Sequence, residues 1–487
     1  MQLNLRSRPA WPPEYTASTP PAVVQPRYRQ VSLFGQHRLG LLDRVGGALQ
    51  VASGETNWSG NRGHAHGAIS SARMGDVVSS LDEATGRLSW ASQKEIFMTR
   101  HDYPPTGAWQ PSQPVGSRHF AHFPVDRPFA LDGGTQLNSV SIAYETWGTL
   151  NADRSNAILL CHAWTGDSHA TGPAEDGHPT PGWWEGVIGP DQFIDTNKWF
   201  VVCSNVIGGC QGSTGPASPH PVDGKPYGSR FPVITVRDMV RAQLRLTDML
   251  GIVQWHSIVG GSMGGMQVLE WAVTFPDRVK TIIPIATCTH STAQQIAWGA
   301  IGRRAIRLDP KWNNGEYYDA AIGEGPWEGL SIARMVSQVT FRSDNVFSDR
   351  FGRDLADMDA DYNGLGLWDR FEVESYLDHH GDRLIRRFDT NSYLIIGKAM
   401  DLHDVARGRG GLDKAMSRVK ANTLVLGISS DILYPTYQQK QIRDILVAQG
   451  THAEYVEIDS PHGHDAFLIN LDQVGPPIKK FLEDNFA

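Results

Sequence analysis

A serine set among glycines, Gly260-Gly261-Ser262-Met263-Gly264-Gly265, follows the apolar run Ser257-Ile258-Val259 and precedes the helical pattern Met266–Thr274. A strand that turns sharply through small residues into a helix lifts the serine hydroxyl above the sheet, beside the positive end of the helix dipole. A serine so placed suits nucleophilic attack and a covalent intermediate. The same string also fits a plain glycine-rich turn, so the chemistry depends on finding a base and an acid for it. A hydroxyl attacks poorly until a base takes its proton, and behind such an elbow the acid and then the base follow along the chain. Asp431 lies just past the apolar run Thr423–Ile428, and His464 lies past Tyr455–Ile458 in Ser460-Pro461-His462-Gly463-His464-Asp465. Each has a plainer reading, Asp431 as a helix cap and His462 instead of His464 as the base. Order and placement together favour Ser262, Asp431 and His464 as a triad. A tetrahedral intermediate also needs N–H donors for its oxyanion. Met263 supplies one, and Trp164, in the loop after Ala157–His162, is the candidate for the other. His162 is expected to order that loop without touching substrate.

These residues need a sheet to hold them. From Phe120 onward, strand-like runs at Ala157–His162, Trp199–Asn205, Ser257–Gly260, Thr281–Ala286, Thr423–Ile428 and Tyr455–Ile458 alternate with helical patterns. Strands apolar on both faces and separated by amphipathic helices predict a mostly parallel, doubly wound α/β sheet. About 130 residues separate the Thr281 and Thr423 runs, far more than a crossover helix needs. Helical periodicity at Ala293–Arg307, Gly329–Val336 and Ser392–Leu402 makes this insertion a helical cap, and a cap over a catalytic face excludes water. The expected division is residues 119–288 and 413–487 as core and 289–412 as cap.

Residues 1–118 read differently, Pro-rich at Pro9–Pro26 and Gly/Ser/His-rich at Ser53–Ser71, without sustained periodicity. Such composition predicts an extension outside the packed body, and Met98 is a plausible native start. Hydrophobic residues at 40% and charged residues at 20% are ordinary for a soluble globular chain. A net charge of -8 gives no general attraction to nucleic acid or anionic membrane. Cys161, Cys203, Cys210 and Cys288 are too scattered for a disulfide framework or metal-ligand spacing, so reduced thiols and no bound metal are expected. No signal-like or membrane-length apolar run occurs, and the expected location is the cytoplasm.

The motifs resemble one family, the homoserine O-acetyltransferases of the α/β-hydrolase superfamily. The matching stretches include His162-Ala163-Trp164-Thr165-Gly166-Asp167-Ser168-His169, Asn205-Val206-Ile207-Gly208-Gly209-Cys210, Gly224–Pro232, Gly260–Gly265 and Gly463-His464-Asp465-Ala466-Phe467-Leu468. They run from about Phe120 to the C-terminus, about three-quarters of the chain. The resemblance implies the α/β-hydrolase fold with an inserted cap and a homodimer. It also implies acetyl transfer from acetyl-CoA, as co-substrate, to L-homoserine through a serine acyl-enzyme in methionine biosynthesis. No permanently bound cofactor is implied. It favours His464 over His462, assigns Asp465 to the substrate ammonium and Arg334 to the substrate carboxylate, and leaves the residues that hold CoA phosphates unassigned. Members that use succinyl-CoA tend to carry an arginine two residues after the triad aspartate; Leu433 stands there, which favours acetyl. Trp164 replaces a leucine common in the family. A hydroxy-amino-acid acyltransferase acting on serine, and an esterase with the same triad, are the alternatives.

Overall fold

The computed structural model describes residues 102–356 and 364–486. Eight strands form the main sheet: β1 (His119–Phe123), β2 (Val140–Trp147), β3 (Ala157–Cys161), β4 (Phe200–Ser204), β5 (Trp255–Gly261), β6 (Val279–Ile285), β7 (Asn422–Ile428) and β8 (Ala453–Ile458). Their spatial order is β1-β2-β4-β3-β5-β6-β7-β8. β2 pairs antiparallel with β1 and with β4, and every later neighbour is parallel. Every residue of the central strands β3 and β5 is buried, as continuous apolar runs covered on both faces require. The sequence reading finds six of the eight strands and misses β1 and β2. β1 carries the exposed His119, and β2 alternates buried and half-buried residues, so neither shows a continuous apolar run.

Helices α1 (Val236–Met249) and α2 (Met263–Thr274) flank β5, and α2 buries 11 of its 12 residues. Between β6 and β7 stand α3 (Ala293–Leu308), α4 (Trp327–Phe341), α5 (Asp344–Phe351), α6 (Glu372–Ile385) and α7 (Thr390–Asp401). Thr292 and Gln295 close a capping box that starts α3. Gly302 lets α3 approach α4 closely, since a Cβ there would lie 3.2 Å from that of Ala333. The chain enters and leaves this helical layer at one neck: Ser291 N donates to His403 O and Val405 N to Thr289 O, both at 3.0 Å. The short α8 (Leu412–Met416) leads into β7, and beyond β7 come α9 (Thr436–Ala448), α10 (Ala466–Ile469) and α11 (Leu471–Asp484).

The expected extension 1–118 needs correction at its end. Residues 102–118 pack on the body: Tyr103 and Ala108 are buried, Thr106 Oγ1 donates to Asp389 at 2.8 Å, and Trp109 N donates to Cys210 O at 2.9 Å. Arg118 reaches Gln211 at 3.0 Å and the Gly177 carbonyl at 2.8 Å. Their anchors are single side chains spaced along an irregular segment, a pattern with no period to read. The rest of that expectation, with the Met98 start, lies outside the described residues.

Candidate active site

The nucleophile candidate sits at the strain point of β5 and α2. Ser262 adopts φ 59 and ψ -122, a left-handed backbone that costs a non-glycine residue about 1–3 kcal/mol. The surroundings enforce it. Ser262 N donates to Ile285 O at 2.9 Å, and Thr287 Oγ1 donates to Ser262 O at 2.9 Å. Neighbouring glycines are required by space: a Cβ on Gly260 would lie 2.6 Å from the Gly264 carbonyl carbon, and one on Gly265 would lie 2.6 Å from Thr287 Cβ.

The loops after β7 and β8 bring the acid and the base together. His464 Nδ1 donates to Asp431 Oδ2 at 2.7 Å, with both side chains buried. Asp431 Oδ1 accepts from Leu433 N at 2.8 Å and Tyr434 N at 2.9 Å, so the carboxylate is fixed by its own turn while its other oxygen holds the imidazole. This fixes the tautomer that leaves His464 Nε2 a lone pair. That atom is buried and makes no hydrogen bond, and no Ser262–His464 bond is formed; such contacts commonly tighten only with substrate. Burial opposes a charge on His464, but the Asp431 carboxylate and its hydrogen bond, with Asp465 adding, outweigh it and raise the pKa above the ordinary imidazole value. His462 is outside the cavity that holds His464 and Ser262.

That cavity, of about 440 Å³, is lined by the loops at the strand ends and by the helices inserted between β6 and β7. Ser262 and His464 line it together with Trp164, Arg334, Leu433 and Asp465; Asp431 is not part of the lining and reaches the site through His464. Met263 N–H, first in α2, has no acceptor within its helix. His162 lies outside the cavity; its Nδ1 donates to Ala163 O at 2.7 Å and its Nε2 accepts from Val206 N at 3.1 Å. The Trp164 ring stacks on Tyr393 of α7 with centroids 4.3 Å apart.

The two charged candidates differ in environment. Asp465 pairs with Arg342 at 3.2 Å. Arg334 lies over the Phe341 ring at 5.4 Å and has no ion pair among the described residues. Burial lowers its pKa, opposed mainly by Asp465.

Several features have no local sequence signal. Arg387 Nη1 donates to Thr165 O at 2.7 Å and braces the loop that carries Trp164. Glu145 of β2 accepts from Ser168 at 2.7 Å and His169 at 2.9 Å, and lies 3.2 Å from His178. Burial would raise its pKa, yet these partners bring it down to about 2. The ligand-type atoms of Glu145, His169 and His178 lie within 4.8 Å of one another; with the carboxylate already held by Ser168 and His169, the group is a brace beneath the same loop.

Comparison with known proteins agrees with this arrangement. A family model described as alpha/beta hydrolase fold matches residues 156–471. A homoserine O-acetyltransferase of Thermobifida fusca is 50% identical over 379 residues, 78% of this chain and 97% of the relative. The crystal structure of a homoserine O-acetyltransferase from Bacillus anthracis superposes with a TM-score of 0.68 at 31% identity, covering 75% of this chain and 97% of that one. An acetylester hydrolase from Corynebacterium glutamicum gives 0.62 at 28% identity, covering 76% and 96%. The fold is thus shared by transferases and esterases, and the relative at half identity is a homoserine O-acetyltransferase: the chain belongs to the homoserine O-acetyltransferase family of the α/β-hydrolase fold.

Proposed function

We propose that the chain transfers acetyl from acetyl-CoA to the hydroxyl of L-homoserine by a double displacement on Ser262. The observation that carries this reading is the company Ser262 keeps. One cavity is lined by Ser262, by His464, whose Nδ1 is held by Asp431, and by two opposite charges, Arg334 and Asp465. A zwitterionic amino acid needs one cation and one anion, and a simple ester hydrolase needs neither.

In the first half-reaction His464 Nε2 takes the Ser262 proton as the oxygen attacks the thioester carbonyl. Met263 and Trp164 N–H groups hold the oxyanion, and the CoA thiolate leaves with the proton from His464. In the second, His464 takes the proton of the homoserine hydroxyl as its oxygen attacks the acetyl-serine carbonyl, and returns it to the Ser262 oxygen as that bond breaks, which releases the O-acetyl product. Arg334 holds the acceptor carboxylate and Asp465 its ammonium group. The apolar Leu433 suits acetyl better than a donor with a second carboxylate. Water must stay out between the two steps, and the helical residues 289–412 act as the cap that excludes it.

Exposed Ile301 on α3, with Ile332 and Val339 on α4, supports a homodimer through the cap. Four buried, unpaired cysteines suit a reducing cytoplasm, and no described helix is long and apolar enough to cross a membrane.

Purified protein mixed with acetyl-CoA and homoserine, serine or water, with thiol release followed, tests the assignment. Homoserine should release thiol fastest. Serine differs by one methylene, a discrimination of about 1–3 kcal/mol, so a faster serine rate reassigns the acceptor. Equal release with water alone makes the protein an esterase.

A further inference from the structure

A second cavity, of about 530 Å³, lies on the outer side of α3, lined by Arg303, Arg304, Arg307 and Leu308 with Trp312 and Leu394. The three arginines fall within five consecutive residues of the helix, so their guanidiniums crowd one side. Like charges at three- and four-residue spacing disfavour a helix. Arg303 is paired with Asp401 at 2.7 Å; Arg304 and Arg307 have no carboxylate partner among the described residues. In a chain of net charge -8, such a cluster is a local feature that an anion would stabilise.

The floor between these cations is apolar and partly fixed. The half-buried Trp312 ring is held by its Nε1 donating to Asn391 at 2.9 Å, and Leu308 is 72% exposed. Guanidiniums that line one cavity with an aromatic ring and aliphatic side chains match a ligand that combines phosphates with a flat heterocycle.

The groove adjoins the catalytic cavity. Asp401 lines the catalytic cavity, whereas its partner Arg303 lines the groove. Gly299 leaves the room that Arg303 uses to reach across, since a Cβ there would lie 2.9 Å from Arg303 Nη1. A single ion pair therefore stands where the two spaces meet.

We propose that this groove binds the 3′-phosphorylated ADP end of acetyl-CoA, with the pantetheine arm passing the Arg303–Asp401 pair toward Ser262. The assignment rests on the acetyl-CoA reading above and supplies the phosphate-binding residues that reading lacks. Arg304 and Arg307 contact phosphate oxygens, and Trp312 offers its face to the adenine.

The test compares acetyl-CoA with S-acetylpantetheine, which carries the same thioester without the nucleotide. In the Arg304→Gln/Arg307→Gln double variant, KM for acetyl-CoA should rise about tenfold or more, as loss of two charge-assisted contacts implies. Its kcat, and KM for S-acetylpantetheine, should stay near the wild-type values. In the wild-type protein, which needs no variant to fold, adenosine 3′,5′-bisphosphate should inhibit competitively against acetyl-CoA while leaving transfer from S-acetylpantetheine unaffected. Equal changes for both donors, or inhibition of both, would overturn the groove and leave acetyl transfer in place. A wild-type protein that uses neither donor overturns the parent reading and this one with it.

Discussion

His464 is buried beside two carboxylates, and its reactivity follows from which influence prevails. Burial disfavours the imidazolium, Asp431 and Asp465 favour it, and the net effect is a raised pKa. A general base must be neutral, so acylation should fall as pH drops through that raised value, with the acidic limb above about pH 6.5. Asp431→Asn removes the main stabiliser of the charged form. Its limb should move to lower pH and its rate should drop about 10⁴-fold, the cost of the wrong tautomer in a comparable triad. A pH profile of the acylation burst checks both, and an unmoved limb would show that Asp431 does not set the imidazole. Ser262→Ala should leave the fold intact and abolish the acetyl adduct seen by mass spectrometry; an adduct on another residue of the wild-type protein would displace Ser262 as nucleophile. Asp465→Asn should slow transfer to homoserine while leaving acetylation of Ser262 nearly normal, as separate measurement of the two half-reactions would show. At this scale the sequence carried the order of Ser262, Asp431 and His464, because each follows a recognisable strand. Local spacing could not choose His464 over His462, since that choice depends on the 2.7 Å contact with Asp431 across 33 residues.

Elements that carry no reacting atom still set the geometry of those that do. α7 packs against the oxyanion loop through one missing side chain: a Cβ on Gly397 would lie 2.8 Å from Trp164 Cζ2. Gly397→Ala should push the indole, and with it the Trp164 N–H, away from its place. The variant should lose kcat for acylation by about tenfold or more, since small misplacements at a reacting centre are costly, while KM for homoserine changes little. A normal kcat alongside a normal melting curve would show that Trp164 N–H is not an oxyanion donor. The reading of elements from sequence succeeded where burial is two-sided. β3 and β5 announce themselves by uninterrupted apolar residues, and α3 was legible from its helical periodicity over Ala293–Arg307. It missed α5, which buries none of its eight residues, and α6, which buries four of its 14. The braces at Arg387 and Glu145 were equally invisible, because each joins segments more than 20 residues apart.

The whole molecule is bounded by how the chain joins it at the N-terminal side. The Thermobifida fusca relative is matched over 97% of its own length by 78% of this chain, so about a fifth of the chain has no counterpart in it. Composition before Met98 offers too little periodic apolar surface to offset an ordering cost of about 1–2 kcal/mol per residue. A chain that starts at Met98 should therefore match the full chain in melting temperature and transfer rate. Shortening it further to His119 should not be neutral. That cut removes the buried Tyr103, whose hydroxyl accepts from Arg386 Nε at 2.7 Å, and Thr106, which donates to Asp389. Asp389 caps α7 through Ser392 N at 2.8 Å and accepts from Tyr317 at 2.6 Å, so the loss reaches the start of the helix on which Gly397 and Tyr393 lie. The buried Tyr103 ring and the hydrogen bonds of Tyr103 and Thr106 alone contribute about 3–5 kcal/mol, and the contacts of Trp109 and Arg118 go with the same cut. For a body of this size the melting temperature should fall by several degrees or more. The two shortened proteins, melted side by side, decide the matter: equal stability would mean that residues 102–118 do not anchor the cap, and a drop already at Met98 would mean that the preceding segment packs on the body.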